Sequence, residues 1–368
     1  MNTSKLAELI ESFAPLYLQE KWDNCGYNVN MCNDDIRGVL LCLDITRDVV
    51  REAGELGCTV IISHHPILFH DIRKLNVAKP TDTVVACLVQ AGISAYCAHT
   101  TMDISPKGLN HYVAEVLGMQ EIAPLQRARM YSMHKLAVTV PVDYAEDVRN
   151  ALFEAGAGAM GHYRDCSFSV RGTGTFRPMH GAEPFVGELD SPESVDEVRL
   201  EVLVPSGQEH AVLQAARRVH PYEVPALDLY PVEADTLPGA GLGAIGQLSA
   251  PVRLDEFARS VKKALQCPCI QLSGAADDVV ERVAVCTGAG AQLASVAASQ
   301  GADVLVTGEA KHNEFVDATV ALIAAGHYDT EKWFADAMRR ALQGAGLELQ
   351  YNVDIYVSQH ARRPYTVI

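Results

Sequence analysis

Ser63-His64-His65-Pro66 sets two imidazoles side by side directly after Thr59-Val60-Ile61-Ile62, an apolar β-branched run that reads as a buried strand. In parallel α/β sheets the strand exits are where chemistry collects, and Pro66 stiffens the turn. Asp103 lies just past a second strand-like run, Ile93 to Ala98. His327 and Glu331 stand four residues apart at the start of a late helix. Three imidazoles and two carboxylates form a mixed nitrogen and oxygen set suited to Zn, Mn, Fe or Co.

Each of these residues has a plainer reading. Successive side chains on a regular strand point to opposite faces, so His64 and His65 share one ion only on a distorted strand end. Otherwise each serves a different ion of a two-metal site, or one is buried and hydrogen-bonded while the other is exposed. Asp103 reads as a ligand, or as an Asx-turn or cap of the helix starting near Lys107. With Asp329 or Thr330 as N-cap, His327 falls in the entering loop and Glu331 in the first turn, where a solvated carboxylate would also be favoured by the helix dipole. Trp333, Phe334, Met338 and Leu342 make the apolar stripe of that helix and read as core. His99 is a candidate proton carrier or outer-shell residue, or a satisfied histidine at a strand end.

Weaker candidates surround this set. Thr287-Gly288-Ala289-Gly290-Ala291 is a glycine-rich turn between strand and helix, whose amides at Gly288 and Gly290 could cradle an anion. It lacks the third glycine of a dinucleotide fingerprint. Glu309, Lys311 and His312 are candidates to line the same cleft, against a solvated loop as the bland alternative. His220, in His220-Pro221-Tyr222-Glu223, is a candidate for substrate contact, although proline termination of a helix explains that turn equally well.

Two segments must position these residues. Gly38 to Asp44 reads as a strand, Thr46 to Leu56 as a helix capped by Gly57, and Cys58 to Ile62 as the next strand. The plan returns at a constant offset of 244. Val39 meets Val283, Cys42 meets Cys286, Gly57 meets Gly301 and Val60 meets Val304, so Ser63-His64-His65 falls on Thr307-Gly308-Glu309. We therefore expect an α/β core of two related βαβ half-units. Between them, strands at 135–141, 166–176, 198–204 and 226–230 and helices at 144–155 and 208–219 follow the order βαββαβ, that of a ferredoxin-like α+β domain. The expected organisation is a discontinuous core, 1–127 and 235–368, with an insertion at 128–234.

The whole chain sets outer bounds. It has 368 residues, 48% hydrophobic, with 30 basic against 46 acidic residues and a net charge of −16. Such acidity argues against a nucleic-acid surface, which needs clustered Lys and Arg. The N-terminal stretch reads as an amphipathic helix without an apolar signal core, and no long uncharged run could span a bilayer. The ten cysteines are scattered, without a CxxC pair, as reduced thiols of a cytoplasmic protein would be.

Trp22-Asp23-Asn24-Cys25-Gly26, Ser63-His64-His65-Pro66, Ala98-His99-Thr100-Thr101-Met102-Asp103, His220-Pro221-Tyr222-Glu223 and Gly326-His327-Tyr328-Asp329-Thr330-Glu331, in this order, resemble the GTP cyclohydrolase I type 2 family, also called Nif-three-like. The resemblance covers nearly the whole chain. It departs at Thr101-Met102, where the family usually has Asn-Leu, and at Cys25, often aliphatic there. The resemblance implies two divalent metal ions per chain, held by His64, His65, Asp103, His327 and Glu331, with Glu331 bridging. It also implies a toroidal homohexamer, a PII/CutA-like insertion, and hydrolytic opening of the guanine imidazole ring of GTP with release of formate. The rival expectations are a metal-binding scaffold or regulatory interaction protein, as some relatives are linked to transcriptional partners, and hydrolysis of another phosphoester or cyclic amide.

Overall fold

The computed structural model describes residues 1–70, 72–128, 131–160, 163–205, 207–234 and 237–368. The chain divides into two compact units, Met1–Ala128 with Pro238–Ile368, and Arg129–Leu237. Arg129, Asp235 and Thr236, at the expected junctions, lie outside the described residues.

The first unit carries two sheets on the same plan. In one, Gly38–Cys42, Val60–Ser63 and Ser94–Cys97 run parallel, with Gly26–Val29 antiparallel on the outer edge. In the other, Val279–Cys286, Val304–Thr307 and Ala321–Ala324 run parallel, with Gln271–Leu272 antiparallel on the matching edge. The registers coincide. Val39 faces Val60 and Cys42 faces Ser63, while Val283 faces Val304 and Cys286 faces Thr307. The offset read from the sequence is therefore also a structural equivalence. Helices Arg47–Glu55 and Ala294–Ser299 are each followed by a glycine in the left-handed region, Gly57 at φ 70° and Gly301 at φ 76°. The sheets differ on their other flank. Asp354–Val357 adds in parallel to the first, whereas Gly241–Arg253 and Gln120–Arg127 add antiparallel to the second.

Alternation along the strands explains the layering. Val39, Leu41, Val60 and Ile62 share one core with Val283, Val285, Val304 and Val306, packed with Leu6, Val113, Phe257 and Phe334 from four helices. The intervening residues face outward onto helices of their own. Leu40, Cys42 and Ile61 meet Val49, Val84 and Leu88, and Ala284, Cys286 and Leu305 meet Ala294 and Ala297. Strands covered on both faces read as continuous apolar runs, which is why the sequence displayed them clearly. Each fully buried Val, Leu or Ile side chain stabilises this arrangement by roughly 1.5–3 kcal/mol.

The helix expected at Ala291 begins as a 3-10 turn, Ala291–Leu293, before its α-helical part. His327 is not in an entering loop. It opens the short helix His327–Glu331, with Gly326 as N-cap at φ 100°. Phe334, Met338 and Leu342 are buried, as their stripe implies, whereas Trp333 is only partly buried against the same core.

The second unit runs Tyr131–Pro141, Ala145–Glu154, Ser167–Phe176, Glu193–Val204, Glu209–Val219 and Leu227–Ala234, strand-helix-strand-strand-helix-strand. Its sheet order is Ser167–Phe176, Glu193–Val204, Tyr131–Pro141, Leu227–Ala234, antiparallel throughout. One face, with Leu136, Val138, Leu200 and Val202, packs on Val148, Leu152, Val212 and Ala216 of the two helices. Among the described residues, all ten cysteines are free and no helix is long and apolar enough to cross a membrane.

Candidate metal centre

Strand ends deliver the site. His64 and His65 leave Val60–Ser63, His99 leaves Ser94–Cys97 and caps the short helix Thr100–Ile104 that carries Asp103, and His327 and Glu331 follow Ala321–Ala324. The parallel strands of both half-units thus point their C-terminal ends at one cluster.

Each histidine is oriented through Nδ1. His64 Nδ1 lies 3.3 Å from the carbonyl oxygen of Ala98, so its N–H donates there and Nε2 carries the lone pair. His65 Nδ1 is 2.8 Å from Asp44 Oδ1, His99 Nδ1 is 2.9 Å from Asp23 Oδ1, and His327 Nδ1 is 3.1 Å from Glu309 Oε1. An oxygen behind Nδ1 fixes tautomer and ring orientation and leaves Nε2 as a lone-pair donor, the usual outer shell of a metal-binding histidine. Asp23 is itself held by the Thr100 amide at 3.0 Å and by the Thr100 hydroxyl.

The Nε2 atoms meet the carboxylates. Glu331 Oε2 is 2.8 Å from His327 Nε2 and 3.0 Å from His65 Nε2, whereas its Oε1 is 3.8 Å from His64 Nε2. Asp103 Oδ1 is 3.7 Å from His64 Nε2. His64 Nε2 and Asp103 Oδ1 are buried and make no hydrogen bond, and the buried Glu331 Oε2 is met by the ring nitrogens of His65 and His327. Buried polar atoms without partners are rare, and here two lie 3.7 Å apart. Ligand atoms of His65, His327 and Glu331 lie within 4.8 Å of one another, as do those of His64, His65 and His99. His64 also rests on the fully buried ring of Phe334, with centroids 4.9 Å apart.

Electrostatics point the same way. Burial alone would raise the Glu331 carboxyl, but the imidazoles of His327, His64 and His65 outweigh it and hold it well below the usual carboxylate range. Burial works against charge on His65, yet Asp44 and Glu331 pull its pKa up to about 10. Asp103 is pushed up by burial. The field of this pocket calls for positive charge, and divalent ions with nitrogen and oxygen donors fit it.

The glycine-rich turn is not the expected anion cradle. The Gly288 amide already donates to Thr330 Oγ1 at 3.0 Å, and the Gly290 amide to Thr307 Oγ1 at 2.9 Å. The role of Gly288 is steric. It sits at φ 63°, and a Cβ there would run into Glu331 Oε1. Glu309 reaches the site behind His327, while Lys311 caps the helix His312–Val316 through its amide, 2.6 Å from Glu314 Oε2, and both Lys311 and His312 are exposed. His220 belongs to the second unit with both ring nitrogens occupied. Nδ1 accepts from the Tyr222 amide at 3.0 Å and Nε2 donates to the Thr139 carbonyl at 2.9 Å. It is a satisfied structural histidine with no lone pair for a substrate.

Sequence reasoning did not assign Asp23, Asp44 or Glu309 to the histidines they orient. For Asp44 a signal existed, since it leaves a strand that neighbours Val60–Ser63 in parallel.

The family model Duf34/NIF3 (NGG1p interacting factor 3) matches residues 1–364. Curated relatives called GTP cyclohydrolase 1 type 2 homolog include those of Halalkalibacterium halodurans, 35% identical over 100% of this chain and 99% of its own, and of Bacillus subtilis, 36% identical with the same coverage. A Bacillus cereus crystal structure described as related to NIF3 superposes with TM-score 0.68 at 35% identity, covering 100% of this chain and 99% of that one. On this full-length match in sequence and in structure, the chain belongs to the DUF34/NIF3 family.

Proposed function

We propose that this chain is a dinuclear-metal-dependent hydrolase that acts on GTP, opening the guanine imidazole ring. The observation that carries the reading is the convergence of the His64, His65 and His327 ring nitrogens on the buried Glu331 carboxylate, whose two oxygens face different partners. Oε1 faces His64, beside Asp103, and Oε2 faces His65 and His327. A carboxylate placed this way suits a pair of divalent ions, which His64, His65, Asp103, His327 and Glu331 would hold, with Glu331 shared between them. When bound, divalent ions supply Lewis acidity and acidify a coordinated water to near-neutral pKa. Asp44 and Glu309 hold His65 and His327 in their ligating tautomers. His99, fixed by Asp23, is placed to carry a proton at Nε2.

The choice of GTP as substrate is supported by the relatives' name, GTP cyclohydrolase 1 type 2 homolog. The ferredoxin-like order of the second unit supports a PII/CutA-like insertion. A toroidal homohexamer and a cytoplasmic location complete the reading. The test is formate release from GTP by metal-loaded protein. Release should vanish with chelator and in His65→Ala. Full metal occupancy without release would favour the scaffold reading or another substrate.

A further inference from the structure

Two large aromatic side chains stand exposed where the metal centre opens. Trp22 is 60% exposed and Phe69 is 44% exposed, although both touch His99. The Trp22 ring meets His99 edge to face at a centroid distance of 5.7 Å and 76°, and Phe69 does so at 6.0 Å and 86°. His99 in turn contributes a ring nitrogen within 4.8 Å of those of His64 and His65. These rings therefore stand one imidazole away from the donor cluster.

The two aromatics are also pre-positioned. Asn24 Nδ2, two residues after Trp22, donates to the carbonyl of Leu68 at 2.6 Å, and the Leu68 amide donates to Asn28 Oδ1 at 3.2 Å. The loops that present Trp22 and Phe69 are thus tied to each other, so no ordering of one against the other is needed on binding. Asp23, between Trp22 and Asn24, anchors the first loop to His99 and Thr100. Aromatic faces left in water beside a metal centre suit stacking on a flat heteroaromatic ring, whose polar edge remains free for chemistry.

We propose that Trp22 and Phe69 form the ring-binding mouth of the site and hold the substrate's planar heteroaromatic ring against His99. The choice of guanine as that ring rests on the GTP reading above, whereas the stacking role does not require turnover.

The chain has two tryptophans, so Trp333→Phe leaves Trp22 as the single indole reporter. Rapid mixing of this full-length variant with GTP should give saturable quenching, and inorganic tripolyphosphate should not. By calorimetry with GTP, Trp22→Ala should weaken binding about tenfold or more, while Trp22→Phe stays within about threefold, because base stacking survives on any aromatic face. Phe69→Ala should also weaken binding, and metal content should stay at the wild-type value in every variant. Quenching that persists in metal-stripped protein would support the mouth even if the hydrolase reading failed. Three results would each overturn the proposal: no quenching by millimolar GTP, wild-type GTP affinity in Trp22→Ala, or a change of oligomeric state in Trp22→Ala, which would mark the aromatics as a contact between copies of this chain.

Discussion

Gly288 and Glu331 approach so closely that only a hydrogen fits on the glycine, since a Cβ at 288 would strike the carboxylate oxygen that faces His64. The backbone there is also left-handed, at φ 63°. Gly288→Ala should therefore push Glu331 aside and lower the metal content. Gly301→Ala is the matched control, because Gly301 has φ 76° but open space around its Cβ position. Both variants should lose about 1–2 kcal/mol of stability from backbone strain, measured by denaturant unfolding. Only Gly288→Ala should lose metal, measured by elemental analysis.

His220 should behave as a structural residue. Replacing it with Phe orphans the Tyr222 amide and the Thr139 carbonyl, which should lower stability by about 1–3 kcal/mol and leave metal content unchanged. Burial holds the His220 pKa below its ordinary 6.5. The unfolded chain then binds the extra proton first, so this contribution is present above about pH 6.5 and fades as pH falls below it. Thermal melts at about pH 7.5 and about pH 5.5 should show a larger loss on acidification for the wild type than for His220→Phe. Equal losses would contradict the buried-histidine account.

The insertion should be removable. Arg127 and Gly241 are direct partners in an antiparallel pair, and the Ala128 amide donates to the Ala240 carbonyl at 3.0 Å. Excising 129–237 thus leaves two strand ends that a short turn of the Asn-Gly type can close. The shortened chain should fold and bind metal as the full chain does, judged by circular dichroism and elemental analysis. A folded core without metal would show that the insertion supplies ligands.

What the sequence revealed follows from the physics of each signal. His64 and His65 were legible because a doubly covered strand is a continuous apolar run and its exit is easily found. His327 and Glu331 were legible because helical spacing puts them on one face. The residues that orient them were not, since Asp23 reaches His99 across 76 positions and Asp44 reaches His65 across 21. No local pattern encodes such a contact. The glycine-rich turn was visible but its purpose was not, because a sequence shows freedom of φ and not the neighbour that forbids a side chain. Gly26–Val29, Gln120–Arg127, Gly241–Arg253, Gln271–Leu272, Ala321–Ala324 and Asp354–Val357 were unread as strands. Gly241–Arg253 is rich in Gly and Ala and takes its place through pairing on both sides rather than through β-propensity.

Acid should compete with metal. The imidazoles must be neutral to ligate, and the carboxylates Asp44 and Glu331 favour the protonated form of His65 in the ion-free chain. Raising pH strips those protons, so metal affinity should rise with pH across the neutral range, measured by competition with a chromophoric chelator. An affinity independent of pH would mean that the histidines are not ligands.

The most direct measurement is the metal stoichiometry of the purified full-length chain beside that of Glu331→Gln. The substitution keeps the size of the side chain and removes the negative charge that two adjacent cations would share. The account predicts close to two divalent ions per wild-type chain, and loss of at least one in a Glu331→Gln protein whose fold is unchanged by circular dichroism. A wild-type chain that takes up no metal after reconstitution, or equal occupancy in the two proteins, would contradict it.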